Sequence, residues 1–565
     1  MPTVVLVWVV ALAGGAIEAA WSLALAGVMA LAGGALLMPR RRHPKSSQER
    51  GRTISATLAL ACVLGAVVAV HCAATAGKRE QGPLAQAAET GGGVVIHLLV
   101  TGSPVEVPAR GHSGDSRWTV PAGLVEFTSE GTVVRGSADV VVVGGDGWQH
   151  VRPGQRIRTT GALKEVRVGQ SHAALLSAAS PPVITGEGYD VRQTATHLRK
   201  QFLSAAAWLP PDAAGLLPGM VTGDTSALPE SLETDMKTTG MTHLTAVSGA
   251  NCSLILGGFI LLARCLRLPR PAAAVFAACG LSAFVLMVGP DPSVLRAAVM
   301  GAVGLTALAG GLRGRSLTFL CLAAVMLLLL EPSMASNVGF LLSVLATLGI
   351  VLLAARIASW IPARIPRWLA AGMAVPLSAQ LLCGPVIVAL QPQLTPYALA
   401  ANVVAGPLVA PVTVLGTIAV PLAAFHPWLA VVPIAIAGTS AGLVAGLARF
   451  FASLPGAALP WADGPAGVAS MVAVSGITVL VVWMALHPEG VVSRVMAVHH
   501  VLTVLLERAE RVHARKGGCG EARPNVSGAA RRRILMADLK TAKKRPEGII
   551  SGCCPKRPGQ ERPRQ

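Results

Sequence analysis

"GMTHLTAVSGANCSLILGGF", residues 240–259, puts His243, Thr245, Ser248 and Asn251 at the head of an apolar run. Read as one membrane helix starting at His243, the polar groups fall at about 80° for Asn251, 140° for Ser248 and 200° for Thr245, taking His243 as zero. They cover most of one side and leave an apolar strip for neighbouring helices. Polar side chains in a membrane helix face a bundle interior or a water-filled path. One reading is interhelical hydrogen bonding, with Gly249, Gly257 and Gly258 permitting close packing. A second is a polar path through the membrane. A third, intramembrane hydrolysis by Ser248, meets a geometric objection: on this wheel His243 lies about 140° from Ser248, so a base must come from another span, such as His426.

The rest of the chain supports a membrane setting. Of 565 residues, 53% are hydrophobic and 13% charged, against about 25% charged in soluble domains. The net charge of +19 is uneven: residues 489–565 hold 17 Lys/Arg and 7 Asp/Glu. Such a tail is expected to be cytoplasmic and, from Gly518, disordered. The ten cysteines sit mainly in apolar runs and include no CxxC pair, so neither a disulfide framework nor a zinc site is expected. No Walker-type phosphate loop occurs. No cofactor or metal is implied.

The expected fold is mainly α, a polytopic membrane protein of about twelve transmembrane helices with a small extracytoplasmic all-β domain. Residues 1–79 read as N-terminal spans, with Glu18 at the bend between the first two and the basic cluster at Arg40–Arg42 on the cytoplasmic side. Residues 80–190 change to β-branched runs such as "VVIHLLV" and "ADVVVVG" with turns at "GGDGW", which predicts an OB-like barrel. Trp118, Phe127 and Trp148 are its candidate stacking platforms for a single strand. Residues 191–242 form an amphipathic, interfacial segment, with Val191, Ala195, Leu198, Phe202 and Ala206 on one face.

Residues 243–487 carry nine further apolar blocks. Basic loops at 264–270, 311–315 and 356–367 alternate with loops lacking Lys and Arg, which places both termini inside and the β domain outside. Residues 488–565 form the basic tail. Other polar positions recur in the blocks: Arg296, Asn337, Ser343, Gln380 and Asn402. Arg296 costs a few kcal/mol at the bilayer centre unless it snorkels to the outer interface. Pro385, Pro407, Pro411 and Pro421 predict kinked or broken helices.

"TTGMTHLTAVSGANCSLI" resembles the opening of the membrane domain in the ComEC-type competence-protein family. The resemblance continues upstream in "GLLPGMVTGDTSALPESL" and downstream in "PSVLRAAVM", "NVGFLLSVLATLGI" and "PYALAANVVAGPLVAP", in the family's order over residues 215–425. Asp224, His243, Ser248, Gly249, Asn251, Arg296 and Ser343 match family motif positions. The resemblance implies an inner-membrane channel that passes single-stranded DNA into the bacterial cytoplasm during natural transformation. It implies partners as well: a DNA receptor, a separate nuclease, a cytoplasmic motor ATPase and a second copy in a homodimer. The His-x-His-x-Asp-His motif of the metallo-β-lactamase-like domain found in many members is absent from the sequence, so no nuclease or other enzymatic activity is expected of this chain. Against this stand a transporter for a smaller anionic solute and the serine hydrolase.

Overall fold

The computed structural model describes residues 2–486, except 38–47, 108–116, 165–171, 188–190, 310–315 and a few single or paired positions, together with 503–506. The chain divides into two units, Met1–His487 and Pro488–Gln565. In the second, a helical turn at 503–506 is described. The disorder expected from Gly518, the Arg40–Arg42 cluster and the basic loop 311–315 lie outside the described residues.

The apolar N-terminal run forms α1 (Pro2–Ala16) and α2 (Ala19–Leu37), parted at Glu18, followed by α3 (Gln48–Glu80) and the short α4 (Pro83–Thr90). The β domain follows: β1 (Gly93–Val100), β2 (Val105–Val107), β3 (Arg117–Ser129), β4 (Thr132–Arg135), β5 (Asp139–Gly144), β6 (Gln155–Lys164), β7 (Ala174–Ala178) and β8 (Val183–Glu187). Five of these close a ring: β1 pairs with β3, β3 with β5, β5 in parallel with β7, β7 with β6, and β6 back with β1. Alternation along β1 sends Val94, Ile96, Leu98 and Val100 inward, as a strand period of two requires. Phe127 and Trp148 are 2% and 1% exposed inside this barrel. Gly144 makes room for the indole: a Cβ there would lie 2.2 Å from Trp148 Cδ1. The expectation that Phe127 and Trp148 are stacking platforms therefore fails, because both rings fill the core. Trp118 is half-buried against it.

Three helices lead into the membrane region: α5 (Val191–Ala206), α6 (Pro211–Thr222) and α7 (Glu230–Thr238). The apolar stripe of α5 is buried at Ala195, Phe202 and Ala206. Arg199 Nε donates to the carbonyl of Met287 at 2.5 Å, a basic side chain meeting the carbonyl end of a helix. The apolar helix α6 is buried from Gly215 to Thr222.

The membrane region continues as α8 (Gly249–Cys265), α9 (Arg270–Val288), α10 (Pro292–Ala309), α11 (Ser316–Leu330), α12 (Val338–Gly349), α13 (Ala355–Trp360), α14 (Arg367–Leu390), α15 (Ala398–Phe425), α16 (Pro427–Ser453) and α17 (Gly464–Leu486). Among the described residues nine helices are long and apolar enough to cross a membrane, and Pro2–Ala16, Ser293–Leu305 and Ser316–Leu330 are shorter apolar helices. One core joins α5–α7 with α8–α10, α15 and α16. The approach is close: a Cβ at Gly416 of α15 would lie 2.3 Å from Val221 of α6, and one at Gly438 of α16 would lie 2.5 Å from Leu209. A second core joins α1–α3 to α11 and α12, where Trp8 stacks on Phe340 with ring centroids 4.9 Å apart.

Helix breaks at the prolines do not appear. α14 runs through Pro376 and Pro385, and α15 through Pro407, Pro411 and Pro421, without interruption. The irregularity sits instead at Ile350–Ala354, a π-helical turn linking α12 to α13. Gly349 at its start presses on α14, where an added Cβ would meet the Ser378 carbonyl oxygen at 2.4 Å.

Candidate functional site

The segment before α8 is not helical in the way its apolar character suggests. His243 lies in a 3-10 turn, Thr242–Leu244, and Ser248 is extended, with φ −98° and ψ 162°. The helix starts at Gly249. The wheel that placed His243, Thr245 and Ser248 on one helix is thereby corrected. His243 is exposed and, among the described residues, hydrogen-bonds no member of the cluster described next.

That cluster forms around the N-terminal turn of α8. Asn251, 3% exposed, donates through Nδ2 to the Met220 carbonyl of α6 at 3.0 Å. Its Oδ1 accepts from Thr413 of α15 at 3.1 Å and from Ser248 Oγ at 3.3 Å. One amide thus ties three elements together. Ser293 Oγ, at the start of α10, donates to the Val247 carbonyl at 3.1 Å. Arg296, one turn further along α10, donates through Nε to Ser343 Oγ of α12 at 2.8 Å and through Nη1 to Met300 Sδ at 3.2 Å. It is 6% exposed, enclosed by neighbouring helices. Its third nitrogen lies beside Gly249, where a Cβ would stand 2.6 Å from Nη2.

The structure thus gathers Ser248, Gly249, Asn251, Arg296 and Ser343. Asn337 serves locally, its Oδ1 accepting from the Phe340 N–H at 3.0 Å as the N-cap of α12. Asn402 reaches the Ala398 carbonyl at 2.8 Å and the Gly240 carbonyl at 3.5 Å, holding the turn before His243 against α15. Gly240, at φ +68°, has Ala398 Cβ 2.9 Å from where its own Cβ would be. Asp224 accepts from the Ser226 N–H at 3.0 Å in an Asx turn. Gln380 is half-buried on α14 and hydrogen-bonds none of the others among the described residues. Ser248 Oγ touches Asn251, and no histidine is within hydrogen-bond reach of it among the described residues.

Sequence reasoning missed Met220, Ser293, Met300 and Thr413. The first contributes only a carbonyl, which carries no side-chain signal. Thr413, in "VAPVTVL", was the one legible polar residue of the four inside an apolar helix interior.

Two further charged groups lie on α5, α6, α7 and α16. Arg449 of α16 grips Asp212 of α6 through Nε and Nη2, both at 2.7 Å, and reaches Asp235 of α7 at 3.2 Å. The Arg449 hydrogen bond holds the Asp212 carboxyl below the ordinary carboxylate range, against a smaller opposing effect of burial. Lys200 of α5 is held below its ordinary value by burial and by Arg152 of the barrel, with Asp224 opposing. Among the described residues no group of three or more His, Cys, Asp or Glu is arranged to hold a metal ion.

Residues 220–487, which contain all of this cluster, match the family model described as Competence protein. Over these residues the chain is similar to the competence-protein family. "ComE operon protein 3" of Bacillus subtilis (strain 168) is 32% identical over 156 residues. The match covers 27% of this chain and 20% of that protein, so the chain spans about a fifth of the length of this curated relative. No solved structure matches. The polar cluster is therefore a feature of the competence domain, held by α6, α8, α10, α12 and α15.

Proposed function

We propose that the competence domain forms a path for single-stranded DNA across the bacterial cytoplasmic membrane during natural transformation. The observation that carries this reading is the coincidence of a polar cluster holding one buried cation, Arg296, and one buried amide, Asn251, with the competence match. A nucleic-acid strand needs a lined route with donors for phosphate, and Arg296 is the one buried cation among the described residues. In this reading the twelve apolar helices all cross, both termini are cytoplasmic, and the barrel is extracytoplasmic. The positive-inside distribution supports that orientation: Arg264, Arg267, Arg270, Arg356, Arg364 and Arg367 fall at one set of helix ends. The closed five-strand ring with one parallel pair supports an OB-like barrel.

The reading assigns no catalytic step to the chain and calls for a separate nuclease, a DNA receptor, a motor ATPase and pairing with a second copy. A carrier for a smaller anion is the second reading, since Arg296 would serve either cargo. Uptake of labelled DNA by an otherwise competent host, with and without this chain, separates them. Uptake lost on deletion and restored by the chain is the expected result; uptake unaffected by deletion rejects the DNA path.

A further inference from the structure

Resting on that reading, we propose that Arg296, Gly249 and the first turn of α8 form a subsite for a phosphate oxyanion within the membrane region. A guanidinium has five N–H donors. In Arg296, Nε is engaged by Ser343 and Nη1 by the Met300 sulfur, a weak acceptor. No hydrogen bond ties Nη2, and no carboxylate pairs with the side chain among the described residues. A buried membrane cation without a counter-charge is costly, and such groups mark sites that an anion completes.

The backbone beside it has the same polarity. α8 begins at Gly249, and no side chain caps it, because the Ser248 hydroxyl is turned to Asn251. Its first N–H groups and the positive end of its dipole suit an anion. Gly249 brings the two together: any Cβ would stand 2.6 Å from Nη2 and 3.4 Å from Ala297 Cβ. The planar fork of arginine favours an oxyanion over a spherical one. A phosphodiester of a passing strand and free inorganic phosphate share this chemistry, and the test separates them.

The full chain in lipid nanodiscs is titrated with a fluorescent thymidine oligonucleotide about twelve nucleotides long. Arg296→Gln is expected to weaken binding by at least about tenfold. Arg296→Lys, which keeps the charge but not the fork, falls between the two. Gly249→Ala keeps the arginine but crowds Nη2, and weakens binding as well. An oligonucleotide with an uncharged methylphosphonate backbone does not distinguish wild type from Arg296→Gln, and excess inorganic phosphate displaces the charged one from wild type. Each protein is checked for monodisperse elution and cooperative unfolding. Equal affinity of folded wild type and Arg296→Gln for the charged oligonucleotide overturns the subsite and leaves the DNA path standing. Phosphate binding that depends on Arg296, without oligonucleotide binding, upholds the subsite and overturns the DNA path.

Discussion

Asn251 shows how much one side chain can carry. Its amide meets a buried carbonyl of α6, a buried hydroxyl of α15 and the half-buried hydroxyl of Ser248. Asn251→Leu leaves the Met220 carbonyl and the Thr413 hydroxyl without their partner, at a cost of about 2–4 kcal/mol. Thermal unfolding in detergent should show it, and DNA uptake should fall even where the variant reaches the membrane. The sequence marks Asn251 as out of place in an apolar helix, but its partners lie 31 and 162 residues away, beyond any local pattern. Arg449 is a second such case. Asp212 has a depressed carboxyl, so the stabilisation it gives is present above its ordinary value of 3.8 and is lost as pH falls through its lower folded value. Arg449→Met should cost about 1 kcal/mol at pH 7, since the group is partly exposed. The gap between variant and wild type should close in unfolding scans below pH 4.

At the scale of elements, apolar length was the legible signal, and each of the twelve apolar blocks contains a helix. What hydropathy did not show was where a helix begins. The run from Met241 to Val247 is apolar enough to be helical, yet the 3-10 turn and extended Ser248 give the chain a different entry into α8. The prolines do not end their helices. Packed against α6, α14 and α16, α15 keeps its helical path through three of them, whereas the π turn after Gly349 has no proline. Close packing predicts a sharp response at Gly416. Gly416→Ala pushes a methyl into Val221 and should cost about 1–3 kcal/mol, read as a lowered unfolding temperature in detergent. Gly446→Ala, on open space in α16, should change little.

For the whole molecule, the barrel and the competence helices are built around separate hydrophobic cores in one chain. The barrel was legible because alternating β-branched strands contrast with long apolar blocks. Its interior rings were not, because an aromatic in an alternating strand reads the same whether it faces the core or a ligand. The proposed orientation can be checked at Arg135, whose side chain is 84% exposed. In a chain freed of its native cysteines, Arg135→Cys should react with a membrane-impermeant thiol reagent added to intact cells, and protection until lysis would reverse the topology. The route of the strand itself is open to direct capture. A photoreactive residue at Ala250, exposed on the first turn of α8 beside Gly249, tests it during uptake of labelled DNA by living cells, with Val432 on the outer surface of α16 as the control position. Capture of the labelled strand at position 250 and not at 432 is expected; DNA entering the cytoplasm with no capture at 250 would rule out a strand route past the first turn of α8.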